Sequence, residues 1–61
     1  MDAYERLKAL VIAVEDDLVK ARTGNKAAGT RVRKMMQDVK RAAQDVREEM
    51  IELRSGIDNT D

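Results

Sequence analysis

Apolar residues recur along the first third of the chain in alternating steps of three and four: Tyr4, Leu7, Val11, Val14, Leu18 and Ala21, with Leu10 beside them. This spacing gives an α-helix one apolar side. It predicts a helix from about Asp2 to Arg22, with Asp2 placed to cap or complement its positive end. Ile12 and Val19, seven apart, fall well off the stripe, and a second apolar strip on a surface helix points to a second partner. Helical spacing resumes from Lys26 to about Arg54 with Ala28, Val32, Met35, Met36, Val39, Ala42, Ala43, Val46, Met50 and Leu53. At about 100° per residue this set covers roughly a third of the circumference. Ser55 and Gly56 are expected to end the second helix, leaving residues 55–61 as a frayed acidic tail.

Between the two patterns stands Thr23-Gly24-Asn25. Glycine suits the left-handed conformation that follows a helix, and asparagine is a preferred N-cap, so the triplet reads as a stop followed at once by a start. The expected fold is all-α: a two-helix antiparallel hairpin, one domain over residues 1–61, that self-associates into a helical bundle. One rival is a single long coiled-coil helix. Tyr4, Val11, Leu18, Asn25, Val32, Val39, Val46 and Leu53 fit one heptad position, and Leu7, Val14, Ala21, Ala28, Met35 and Ala42 fit the other. Branched residues with one buried asparagine would suit a parallel two-stranded coil. Gly24 and Gly29, each costing about 1 kcal/mol in a helix interior, stand against it, as does Glu49 at a core position.

Length sharpens the expectation of self-association. A chain of 61 residues without Phe, Trp, Cys or His has no ring-rich core, no disulfide and no ordinary zinc ligand set. The residues expected to carry oligomer contacts are Leu7, Val11, Ile12, Val14, Leu18, Val19, Val32, Met35, Met36, Val39, Val46, Met50 and Leu53. Met35 and Met36 could also serve as an adaptable binding surface, but core filling is the simpler reading. The longest apolar run, Ala9 to Val14, is far short of the roughly 20 residues that span a bilayer, and Asp2 and Glu5 precede it where a secretory signal would be basic. A cytoplasmic protein without a membrane partner is expected.

The net charge is zero, and the charges are segregated. Before Lys20, five acids (Asp2, Glu5, Glu15, Asp16, Asp17) face Arg6 and Lys8; from Lys20 to Arg41, Asp38 alone opposes Lys20, Arg22, Lys26, Arg31, Arg33, Lys34, Lys40 and Arg41; after that, acids again exceed Arg47 and Arg54. A chain reversing at Gly24 therefore has a cationic pole and an anionic one. On the second helix Lys26, Arg33, Lys40, Arg47 and Arg54 repeat every seven residues, as do Asp38, Asp45 and Glu52. Opposite-sign rows of this kind select partner and orientation in helical bundles.

Catalysis finds no support. Histidine and cysteine are absent, the hydroxyls Tyr4, Thr23, Thr30, Ser55 and Thr60 sit in no nucleophile motif, and Gly24 and Gly29 lack the Lys-Ser/Thr ending of a nucleotide-binding loop. Neither an enzyme, a cofactor nor a small-molecule substrate is expected. The basic cluster is the site-like feature. Lys20 and Arg22 close the first helix while Asn25 and Lys26 open the second, and a helix start offers free N–H donors and a positive dipole end to phosphate. Arg31, Lys34 and Arg41 are expected to point away from the apolar face, and Thr30 could add a hydroxyl. The competing structural explanation is that these bases neutralise the acidic ends of neighbouring subunits.

The run Leu18, Lys20-Ala21, Gly24-Asn25-Lys26-Ala27-Ala28 and Arg31-Val32-Arg33, with looser similarity through Met36 to Lys40, resembles the chlamydial linker-histone-like nucleoid protein family and its short relatives in other bacteria. The resemblance implies a DNA-associated protein whose helical module oligomerises and helps compact the chromosome, and it supports Lys20, Lys26, Arg31 and Arg33 as contacts. Long family members owe much of their DNA affinity to a Lys- and Ala-rich tail; this sequence ends in acids instead, which implies weak contact by a single copy. The function expected is non-sequence-specific binding of DNA backbone by a nucleoid-associated homo-oligomer through Lys20, Arg22, Asn25, Lys26, Thr30, Arg31, Arg33, Lys34 and Arg41. The alternative is a structural or adaptor coiled-coil module that binds no nucleic acid.

Overall fold

In the computed structural model, residues 2–58 are described for the backbone and residues 2–54 for side chains. Helix α1 runs from Asp2 to Arg22 and helix α2 from Lys26 to Asp58. They pack against one another along α1 as an antiparallel hairpin, so the continuous rod is excluded. Asp2 and Glu5 lie in the first turn of α1 and Lys20 and Arg22 in its last, complementing the helix dipole at both ends. α2 continues through Ser55 and Gly56, where the sequence suggested a stop. A helix-interior glycine costs only about 1 kcal/mol, too little to end a helix by itself. The remainder of the expected tail, 59–61, lies outside the described residues.

The reversal is built from backbone hydrogen bonds. The Gly24 N–H donates to the Ala21 carbonyl at 3.1 Å and the Asn25 N–H to the Lys20 carbonyl at 3.0 Å, the two bonds of a Schellman motif that satisfy carbonyls left over at the end of α1. Gly24 takes φ +102°, a region that L side chains disfavour. The Asn25 Oδ1 then accepts the Ala28 N–H at 2.9 Å, which makes Asn25 the N-cap of α2. One residue thus closes the first helix with its backbone and opens the second with its side chain.

The seam between the helices is narrow and made largely of small residues. α1 turns Ala3, Leu7, Leu10, Val14, Asp17 and Ala21 inward, and α2 answers with Ala28, Val32, Met35, Val39, Ala42 and Val46. Ala28 is fully enclosed and Ala42 nearly so, while Val14 at 2% exposure is the largest of the buried side chains. Alanines at the crossing let the helix backbones approach closely. The sequence placed Tyr4, Val11 and Leu18 in the apolar stripe together with Leu7, Val14 and Ala21. The observed seam is rotated by one position, so that Ala3, Leu10 and Asp17 point inward and Tyr4, Val11 and Leu18 stand exposed at the edge. Apolar residues flank that stripe on both sides, so periodicity alone left the rotation open.

Candidate nucleic-acid interface

Because the turn joins the end of α1 to the start of α2 within three residues, Lys20, Arg22 and Lys26 project from one tip, all of them exposed. Among the described residues no acceptor from the chain meets the N–H groups of Lys26 and Ala27, which open α2. Free amides and the positive helix end thus coincide with three cations. The Asn25 Oδ1 accepts the Ala28 N–H and its backbone carbonyl accepts the Gly29 N–H, while its side-chain amide nitrogen can donate to a ligand. Thr30 donates its hydroxyl to the Lys26 carbonyl at 3.3 Å and stays on the surface.

From the tip the positive surface continues along α2. Lys26, Arg33 and Lys40 share a row at seven-residue spacing, and Lys34 and Arg41 stand beside it, all exposed. At 1.5 Å per residue the stretch from Lys26 to Arg41 extends for about 22 Å. Lys40 is not among the contact residues that the sequence singles out. Here it lines a shallow surface groove of about 320 Å³ with Gln37, Arg41 and Gln44.

Arg31 differs from the rest. Expected to point freely outward, it reaches across the hairpin instead, its Nε and one Nη each donating at 3.0 Å to the two oxygens of Asp17. The Asp17 side chain is 17% exposed and that of Arg31 53%, so the carboxylate is sheltered while the guanidinium keeps one flank in water. The Arg31 hydrogen bonds hold the Asp17 carboxyl below its ordinary value of 3.8; partial burial opposes this, and the charges of Arg31 and Lys20 add to it. The same pairing raises Arg31 above its already high value. Sequence reasoning missed Asp17, although it stands seven residues after Leu10 on the inward row.

The opposite end of the hairpin carries the other sign. Asp2, Arg6, Asp45, Glu48, Glu49 and Glu52 with Ala3 line an open cleft of about 340 Å³ between the start of α1 and the later part of α2. Among the described residues no cluster of His, Cys, Asp or Glu could hold a metal ion, and no helix is long and apolar enough to cross a membrane.

A two-helix hairpin with a basic tip is a sparse signature, and what decides its affiliation is a family model, histone H1-like protein Hc1, that matches residues 1–56. The chain belongs to the Hc1 family. The match covers both helices and the turn almost entirely, so the Hc1 family pattern extends well beyond the basic run around Gly24. No curated protein and no solved structure matches the chain significantly.

Of the residues expected to carry oligomer contacts, Val14 is enclosed inside the hairpin and has nothing left to offer a second chain. Leu7, Val32, Met35, Val39 and Val46 are half-buried in the seam. Val11, Ile12, Leu18, Val19, Met36, Met50 and Leu53 are exposed, with Ile12 and Val19 the most open at 60% and 62%.

Proposed function

We propose that this chain is a histone-like nucleoid protein of the bacterial cytoplasm that grips the phosphate backbone of DNA without reading its sequence, and that works as a homo-oligomer. The observation that carries this reading is the basic tip continued along α2, in a chain whose family is histone H1-like. Lys20, Arg22 and Lys26 meet phosphate at the turn, helped by the open amides of α2. Lys34 and Arg41 extend the contact along the helix, with Arg33 and Lys40 at the edge of the same surface. Arg31 lends charge to this surface, but phosphate must compete with Asp17 for its guanidinium. No ring side chain stands among these bases to stack on a nucleobase, and an exposed row of cations suits backbone contact better than base readout.

Binding of this type rests on counterion release, so affinity falls steeply with salt, with a log–log slope of about −0.9 per phosphate neutralised. An electrophoretic shift of duplex DNA at low and moderate salt is the test. Lys26→Glu with Lys34→Glu is expected to lose the shift while circular dichroism and sedimentation stay unchanged, since neither side chain joins the helix seam. Intact protein that fails to shift DNA at low salt overturns the reading. A double reversal that changes the mass in solution and leaves DNA binding intact favours an adaptor module instead.

A further inference from the structure

The hairpin buries too little to account for its apolar residues. Among the described residues the enclosed ones are Ala3, Val14, Ala28 and Ala42, and no large side chain is fully buried. Five exposed large side chains are gathered on one side. Tyr4, Val11 and Leu18 each follow an inward residue of α1 (Ala3, Leu10, Asp17), and Met36 and Met50 each follow an inward residue of α2 (Met35, Glu49). In an antiparallel pair these two rows lie on the same side of the seam. Lys8 and Glu15 on α1 and Arg33, Lys40 and Arg47 on α2 stand in the same two rows, whereas the side of Arg6, Asp45 and Glu52 carries, among the described residues, no exposed large apolar side chain.

We propose that a second copy of this chain docks on the face of Tyr4, Val11, Leu18, Met36 and Met50 in antiparallel orientation, so that the basic turns of the two copies lie at opposite ends of a four-helix assembly. The proposal rests on the self-association in the reading above and fixes its geometry. Charge selects the partner and its direction. A hairpin with a cationic turn and an anionic open end pairs favourably with its own reverse, and a parallel pair would stack the two cationic turns together. The antiparallel pairing also sets Lys8 of each copy across from Glu15 of the other, both exposed beside the apolar row. Along the α2 edges Lys40 comes near its own counterpart and the partner's Arg33, a like-charge approach between exposed side chains that salt screens. With a cationic pole at each end, the pair can hold two DNA segments at once, which a parallel pair with one shared pole cannot.

The absence of cysteine makes the test clean, because a single cysteine carries a spin label at one known place per copy. Thr23 is exposed and lies twelve residues beyond Val11, where the two-fold axis would pass. Labels on Thr23→Cys in the full chain are expected about 36 Å apart, from 1.5 Å of rise per residue. Sedimentation should give twice the chain mass, Val11→Glu should reduce it to one, and Ile12→Glu, on the far side of α1, should leave it doubled, with helix content by circular dichroism kept in both. Monomeric mass for the unmodified chain overturns self-association itself. A doubled mass with labels closer than about 20 Å overturns the antiparallel geometry alone, and a Val11→Glu chain that stays both helical and dimeric overturns the face. None of these readouts uses DNA, so each is separable from a failure of the DNA reading.

Discussion

Asp17 and Arg31, fourteen residues apart in sequence, join α1 to α2 just below the turn through two hydrogen bonds of 3.0 Å. The pair ties the inward row of α1 to α2 and engages a cation that would otherwise face only solvent. Its carboxylate is held below the ordinary aspartate value, chiefly by the Arg31 hydrogen bonds. Folding therefore favours the ionised carboxylate. That stabilisation is fully present above the unfolded value of 3.8 and is lost as the pH falls through the lower folded value. Asp17→Asn should thus be less stable than the parent chain at neutral pH, with the difference shrinking once the pH drops below that of an ordinary aspartate. Urea denaturation of both chains across the acid range checks this. A difference that persists unchanged in strong acid would separate the pair from hairpin stability.

The two glycines near the turn should respond to alanine with opposite signs. Gly24 sits at φ +102° in open space, so Gly24→Ala costs backbone strain of about 1–2 kcal/mol without any clash. Gly29 is an ordinary helical residue, and a Cβ there would meet the Ala21 Cβ at 4.0 Å, a normal contact. Gly29→Ala should therefore stabilise the hairpin by up to about 1 kcal/mol through helix propensity. Thermal melts of the two variants, moving in opposite directions from the parent, are the check.

These particulars show what periodicity could and could not convey. Gly24 and Asn25 disclosed the reversal, because stop and start signals are local chemistry, and both helix starts and the end of α1 came out at the same residues in sequence and structure. The rotation of α1 was not legible: Leu10, Val11 and Asp17 compete for the seam, and the outcome depends on which neighbours α2 supplies. Hence Asp17 reads in sequence only as one of the five acids before Lys20, and Arg31 as a cation pointing away from the apolar face. The bases at the tip were legible because placing them needs only the turn. The far end of α2 was not, since Ser55 and Gly56 are permissive of a helix as well as of its end.

Ala28 is the tightest point of the seam, with no exposed surface. Leucine there would drive three further carbon atoms between the backbones of α1 and α2, and overpacking of this kind costs about 1–3 kcal/mol. Ala28→Leu is expected to lower the urea midpoint clearly. Ala27→Leu, one residue away on the exposed side, should leave it nearly unchanged. Equal effects at the two positions would mean that the helices do not meet closely at Ala28.

Asn25 allows architecture and DNA contact to be separated at one residue. Its Oδ1 caps α2 through the Ala28 N–H. Removing the cap with Asn25→Ala should cost about 1 kcal/mol. Asn25→Asp keeps an oxygen in the same place, and a carboxylate at a helix start is favourable by some tenths of a kcal/mol, so the hairpin should be at least as stable as the parent. Yet the substitution sets a negative charge among Lys20, Arg22 and Lys26, where phosphate is proposed to sit. If DNA enters at the tip, Asn25→Asp should weaken binding several-fold at low salt and flatten the salt dependence, by about 0.9 in log–log slope for each phosphate that the tip no longer neutralises, while Asn25→Ser, a neutral cap, should change neither. If instead the α2 row alone carries the contact, the aspartate variant should bind like the parent, and the interface would then begin at Arg33 rather than at the turn.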